Sequence, residues 1–317
     1  MTAVQVQDAD APLPGGFDAL VRACELADDH GPFGEHTLLT LHGQRQVRHA
    51  RIAAVEAGGL AGFAVLSEGI ESWYVELAVS PDRRRRGVGT ALLAACREHV
   101  ASHGGGLLRG WAHASGAEVD GLVRDWTVSR SLLVLEREPA DSPPSAPPPV
   151  MAVPDGMRLR TLDPACGTDR DAWLELSNSA FAGHPENGGW TRDEVDWRMA
   201  ADWTDGSRFP VVQEGERLVA GVWIKAVDPS PSEAGTGEAC APELYVVAVA
   251  PDRQGRGLGR LVVAEALRLL RTYGTTTLYV DADNVAALAL YRRAGFVLHH
   301  RDRCFQTTVP ARVVQTS

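Results

Sequence analysis

The 317-residue sequence has no apolar run approaching the roughly 20 residues that span a bilayer, so no membrane segment is expected. Its first residues, "MTAVQVQDADAPLPGG", include acids and lack the basic n-region and apolar core of a secretory signal. The expected location is the cytoplasm. Cysteines are few: Cys24, Cys96, Cys166, Cys240 and Cys304 are scattered, odd in number, and form no CxxC pair. That argues against a disulfide framework or a zinc site and fits reduced thiols. None stands in a Cys/His context suited to nucleophilic catalysis, and His299 and His300 read as surface or packing residues, so no metal is expected. Positive charge is short as well: 31 Lys+Arg against 41 Asp+Glu give a formal net charge of −10. A broad basic face for nucleic acid is therefore not expected.

What is present is ordinary for a globular protein, with 44% hydrophobic and 23% charged residues. The length allows two domains, each with its own core. Residues 138–155, "EPADSPPSAPPPVMAVPD", are proline-dense and aperiodic, as in an extended linker. The expected division is a domain over 1–138, a linker over 139–155 and a domain over 156–317. One motif occurs in both halves: "PDRRRRGVGTALL" at 81–93 and "PDRQGRGLGRLVV" at 251–263. Aligning 77–91 with 247–261 gives eight identities in fifteen positions, concentrated in the strand end and the turn. Two copies make a duplication, not a solenoid.

The second half alternates strands and helices. Residues 156–162 read as a strand and 169–183 as a helix; Thr191 and Glu194 form a capping-box pattern that starts another helix. "FPVVQ" and "RLVAGVWIKAV" form a hairpin. "ELYVVAVA" at 243–250 is apolar enough to be a central strand. Residues 257–274 carry apolar side chains at helical spacing and end at Gly274; 276–282 is a strand, 284–295 a helix ending at Gly295, and the remainder a last strand. The first half follows the same order to about residue 112. The class is α/β, with a mixed sheet in each half.

A strand, then Arg/Gln-x-Arg-Gly-x-Gly, then a helix presents backbone N–H groups at a helix N-terminus, where the dipole favours an anion. The spacing is neither the GxGxxG of dinucleotide folds nor a P-loop. A pyrophosphate suits such a corner; a tight structural turn is the alternative reading. Downstream, in "DNVAALALYRRAGF", Asn284, Ala287 and Tyr291 share a helical face because seven residues make nearly two turns.

Taken together, these motifs resemble the GNAT superfamily of acyl-CoA-dependent N-acyltransferases. The resemblance implies two tandem GNAT folds, each a mixed central β-sheet flanked by helices. It also implies that acetyl-CoA is the acyl donor, with its diphosphate in the glycine-arginine corner. On this basis the donor contacts in the second half are Val247, Ala248 and Val249; Gln254, Gly255, Arg256, Gly257, Leu258, Gly259 and Arg260; and Asn284, Val285, Ala286, Ala287, Leu288 and Ala289. In the first half they are Leu77, Ala78 and Val79, with Arg85, Arg86, Gly87, Val88, Gly89 and Thr90.

"AFAGHPENGGWT" at 180–191, with the two GNAT halves and "LYVDADNVAALALY", further resembles the mycothiol synthase family. That resemblance implies acetylation of the cysteinyl amine of cysteinyl-glucosaminyl-inositol, the last step in making mycothiol. Glu243 is then the base that deprotonates the incoming ammonium, and Tyr291 the acid that protonates the leaving thiolate. The oxyanion is held by backbone N–H groups around Val247 to Val249. Substrate contacts fall on Glu35, Glu186, Lys225, Glu243 and Tyr279. Plain structural readings stand beside these roles: an exposed acid at a strand start for Glu243, a core tyrosine for Tyr291, a surface lysine ending a strand for Lys225.

The first half keeps the corner but has no tyrosine after Tyr74, so its acid role is vacant. It is expected to bind acetyl-CoA without turnover. The chain supplies its own domain pair, so a monomer is expected. Two other functions stay open at this point: a GNAT acting on another polar amine, such as an aminoglycoside or a protein N-terminus, and an acyl-CoA sensor without catalysis.

Overall fold

The computed structural model describes residues 2–7, 9, 11–28, 30–43, 47–69, 72–113, 117–139, 151–184, 188–227 and 241–312; at 35, 36, 39, 117 and 118 it describes backbone only. The chain forms two compact units, residues 1–132 with 301–317 and residues 133–300. They are therefore not simply successive lengths of chain. The expected division at the proline-dense segment kept 301–317 with the second domain and 133–138 with the first; the structure assigns these strand ends the other way. Most of the expected linker, 140–150, lies outside the described residues.

In the first unit the order is β1 (Ala3–Gln7), α1 (Phe17–Asp28), α2 (Glu35–Leu41), β2 (His49–Glu56), β3 (Gly59–Glu68), β4 (Ser72–Val79), α3 (Val88–Ser102), β5 (Gly106–Ala112) and α4 (Ala117–Leu122). β6 (Thr127–Arg137) begins in this unit and ends in the other. The sheet runs β1-β2-β3-β4-β5 and is then completed by the end of the chain, β12 (Val297–Val309), from Arg301 onward. β4 and β5 are parallel; β5 and β12 are antiparallel, with Arg303 opposite Ala112 and Val309 opposite Gly106. α3 covers one face because Val88, Leu92, Cys96 and Val100 recur every four residues and are all buried. α1 covers the other through Phe17, Leu20 and Cys24, packed on Phe33 and Phe63.

The second unit contains β7 (Met157–Thr161), α5 (Gly167–Ala180), α6 (Arg192–Met199), β8 (Pro210–Glu214), β9 (Arg217–Lys225), β10 (Glu243–Val249), α7 (Leu258–Leu269), β11 (Thr276–Asp281) and α8 (Val285–Arg293). Its sheet order is β6-β11-β10-β9-β8-β7, antiparallel across β7 to β10 and parallel between β10 and β11. β10 is central, as its apolar sequence requires. The capping box at Thr191 and Glu194 is formed in both directions. α7 stops at Leu269, one turn short of the expected Gly274: Leu270 is buried and the chain turns there, with Tyr273 N–H bonding the Leu270 carbonyl. Tertiary contact overrides propensity at this end, since the Tyr273 hydroxyl accepts a hydrogen bond from Arg208.

Closing the first sheet with β12 buries Asp302, whose carboxylate bonds His113 Nδ1 at 2.9 Å. Burial alone would pull the His113 pKa down, but the hydrogen bond and charge of Asp302, with Glu76 nearby, leave it raised. A raised folded-state pKa stabilises fully below the unfolded value, about 6.5 for histidine, and that stabilisation is lost as pH rises through the folded value. His113→Gln should therefore lower the urea midpoint more at about pH 5.5 than at about pH 9. Equal losses at both pH values would count against a charged pair.

Candidate functional site

The two glycine-arginine corners have the same backbone. In the second unit Gly255 and Gly257 have φ of 75° and 81°; in the first, the corresponding Arg85 and Gly87 have 61° and 86°. Arg85 is the non-glycine residue with positive φ among the described residues, a conformation L-residues avoid. A Cβ placed on Gly255 or Gly257 meets nothing within 4 Å, so the space above this corner is open. Gln254 Nε2 donates to the Val249 carbonyl at 3.4 Å, and Arg84 Nε to the equivalent Val79 carbonyl at 3.1 Å. Arg84 is further held by both oxygens of Asp28, at 2.7 and 2.6 Å, which pushes its pKa up.

Gln254, Arg256 and Arg260 are exposed around the opening, as are Arg85, Arg86 and Thr90 in the first unit. Leu258 and Val88 point into the cores, so at those positions only the backbone N–H can face a ligand. The same holds for Ala78, Ala248 and Leu288. Each corner ends in a helix N-terminus whose first N–H groups lack intrahelical partners. This arrangement suits a diphosphate.

Along β10 the parallel pairing with β11 is confined to Glu243 opposite Thr277, and beyond it the strands part toward the corner. On the other side Val247, Ala248 and Val249 pair with Val222, Gly221 and Ala220. The β9–β10 register shifts between Leu244 and Val246, leaving Tyr245 in a bulge. In the first unit β3 and β4 pair one-to-one from Gly62–Val79 to Glu68–Trp73, without a bulge. The two units thus share the corner and differ at the strand beside it.

Glu243 opposes Lys225 across one neighbour and Thr277 across the other. Register partners project to the same face of a pleated sheet, so Glu243, Lys225, Tyr279 and Asp281 share one face. Tyr279 is 51% exposed on it. Lys225 is the sole lysine of the chain. Its Nζ lies 5.4 Å from the Trp203 ring centroid and 5.7 Å from that of Tyr245, within cation–π range.

Sequence reasoning missed this aromatic wall. Tyr245 packs on Trp203 and Trp223, and its hydroxyl accepts from Arg198 Nε at 3.2 Å. Arg198, 4% exposed, lies 4.6 Å over Trp190 and 5.9 Å over Trp197. The available signal was composition, because five of the eight tryptophans fall between 173 and 223.

Asn284 caps α8, its side-chain oxygen accepting from Ala287 N–H at 3.1 Å. Contact with a ligand there is left to its amide NH₂ and the neighbouring backbone. Tyr291, two turns on, is 7% exposed and packs on Phe296, and burial pushes its pKa up. It therefore stays protonated across the neutral range and has a proton to give. Glu35 begins α2, but its side chain lies outside the described residues, as do Glu186 and Cys240. Among the described residues no group of three or more His, Cys, Asp or Glu side chains forms a metal site, and no helix is long and apolar enough to cross a membrane.

Comparison with known proteins follows this division. Residues 171–296 match the acetyltransferase (GNAT) family and 48–119 an acetyltransferase (GNAT) domain. Over 307 residues the chain is 37% identical to the mycothiol acetyltransferase of Geodermatophilus obscurus, covering 94% of this chain and 96% of that one. It is 38% identical over 294 residues to that of Salinispora tropica, covering 90% and 91%. Among solved structures it resembles a tandem GNAT protein of the clavulanic acid pathway, with TM-score 0.70 and 17% identity over 99% of this chain and 100% of that one. A GCN5-related N-acetyltransferase from Sphaerobacter thermophilus superposes with TM-score 0.67 at 21% identity, over 100% and 98% of the two chains. At these identities the structural likeness establishes the fold.

Proposed function

We propose, for a chain that belongs to the mycothiol acetyltransferase family of tandem GNAT proteins, that its second unit acetylates the cysteinyl amine of cysteinyl-glucosaminyl-inositol. The protein is an acetyl-CoA-dependent N-acetyltransferase; the acceptor and the residue roles are our reading. The observation that carries it is the pairing of an open αL corner with a bulged, parted β10 that begins at Glu243.

The chemistry follows from these groups. The acceptor arrives as an ammonium, and Glu243 takes its proton directly or through water. The free amine attacks the thioester carbonyl carbon, and its electron pair forms the C–N bond. Negative charge on the carbonyl oxygen is held by β10 N–H groups around Val247 to Val249. Collapse breaks the C–S bond, the thiolate takes a proton from Tyr291, and the second proton leaving the new amide nitrogen restores the Tyr291 hydroxyl, directly or through water. Gln254, Gly255, Arg256, Gly257, Gly259 and Arg260 hold the diphosphate, mainly through N–H groups. Asn284 to Ala289 line the pantetheine arm. Glu186, Lys225 and Tyr279 hold the sugar-inositol acceptor.

The first unit has the same corner without the bulge and without a tyrosine after Tyr74. We read it as binding acetyl-CoA through Arg85, Arg86, Gly87 and their neighbours without transfer. The protein is read as a cytoplasmic monomer that binds neither nucleic acid nor membrane.

Gly257→Ala gives a check on the corner. Forcing an L-residue into the left-handed region costs about 1–2 kcal/mol, and the new methyl enters the open space. The acetyl-CoA KM should rise about tenfold, near the worth of one charge-assisted hydrogen bond. Gly87→Ala should cost similar stability and leave that KM unchanged. The acceptor itself is tested by initial rates of CoA release with cysteinyl-glucosaminyl-inositol, aminoglycosides and simple amines. A clear preference for the cysteinyl compound supports the reading, and equal or faster use of another amine removes it.

A further inference from the structure

The loop between α5 and α6 is clamped at its base. Asn178 Nδ2 donates to the Trp190 carbonyl at 2.9 Å, and its side-chain oxygen accepts from Trp190 N–H at 2.8 Å. Two backbone bonds tie the described residues further along, His184 N–H to the Phe181 carbonyl and Gly188 N–H to the His184 carbonyl. A side chain at Gly188 could not be accommodated, since its Cβ would lie 2.3 Å from the Phe181 carbonyl oxygen. His184 reaches the sheet: its Nε2 lies 3.1 Å from Asp281 Oδ2, and its ring meets Phe181 edge-on at 5.6 Å. Both side chains of the pair are about one-fifth exposed, at 19% and 20%.

Asp281 ends β11 on the face that carries Glu243, Lys225 and Tyr279. Three residues later Asn284 caps α8, and Asn284 N–H bonds the Asp281 carbonyl. The pair therefore joins the loop to the point where the acceptor face meets the donor helix. Sequence reasoning assigned neither residue a role.

We propose that His184 and Asp281 act as one positioning pair, which fixes residues 181–184 against the β11 end of the acceptor face and so sets the affinity for the acceptor amine. Neither touches the reacting atoms in this assignment. A segment already held in place binds without the cost of ordering at the moment of binding, so releasing residues 181–184 weakens acceptor binding while the donor site is untouched. The proposal rests on the acetyl-transfer reading, but not on the identity of the amine.

The test is a double-mutant cycle in the full-length enzyme. His184→Ala and Asp281→Ala should each raise the acceptor KM about tenfold, with acetyl-CoA KM and thermal midpoint unchanged. The double variant should be no worse than either single, because one link is lost in all three. His184→Gln, whose amide can still donate to Asp281, should recover most of the acceptor affinity. An unchanged acceptor KM, an equal rise in acetyl-CoA KM, or additive losses would overturn the pair. Should the wild type prefer another amine, the cysteinyl reading falls alone, and the same cycle run with that amine still decides this one.

Discussion

Replacing Glu243 with Gln lowers kcat with the cysteinyl acceptor by about 10²–10⁴-fold, the usual worth of a positioned general base. The amide keeps the size of the side chain and cannot take a proton. The side chain is half-buried on β10, and its backbone pairs with Lys225 and Thr277 are unchanged by the substitution. Stability and acetyl-CoA binding should therefore hold. The deficit should shrink as pH rises, because a larger fraction of the acceptor amine is then already deprotonated. Rates measured from about pH 6 to about pH 9 would show this. A variant with wild-type kcat would leave Glu243 as a half-buried acid at a strand start without a catalytic role. Tyr291→Phe should cost less, since water can protonate a thiolate that has already left.

Removing residues 301–317 unfolds the first unit. Those residues supply the strand beside β5, pairing from Arg303–Ala112 to Val309–Gly106. They bring Phe305 and Val309 into the core that holds Trp73, Leu92 and Leu108. They also bring the His113–Asp302 pair and the bond from Arg312 N–H to the Ala101 carbonyl. Losing Phe305 alone, as Phe305→Ala, should cost about 3–5 kcal/mol, a large share of the 5–15 kcal/mol that holds a typical domain. Urea unfolding followed by far-UV circular dichroism would report the loss. A truncated chain with the full-length signal and midpoint would contradict the strand assignment. The same exchange means that cutting at the proline-dense segment leaves the first unit without its last strand. A fragment over 1–138 is thus a poor probe of that unit's activity.

The legible part of the molecule is the part coded locally. The corner is written in consecutive residues, and the structure gives Gly255 and Gly257 the positive φ that their glycines allow. The capping box at Thr191 and the central place of β10 are likewise short-range patterns. What escaped depends on partners distant in sequence. The final strand reads as the end of the second domain until its pairing with β5, some 200 residues earlier (Thr307 and Leu108), is known. Tyr245 looks like one more apolar position in "ELYVVAVA". Only the register shift against β9 and the guanidinium of Arg198, 47 residues away, set it apart. His184 and Asp281 lie 97 residues apart, each in a motif quoted for other residues. Glu35 and Glu186 were chosen by resemblance, and the described side chains include neither.

The acceptor offers both an amine and a thiol, and the proposed transfer goes to the cysteinyl amine. The most direct measurement gives the enzyme acetyl-CoA and cysteinyl-glucosaminyl-inositol, isolates the acetylated product by mass, and titrates it with a thiol-specific reagent. One added acetyl group is expected, with a thiol that still reacts in full and an amine that no longer does. A product with a blocked thiol and a reactive amine, or no acetylated product where another amine is turned over, would contradict the proposed transfer.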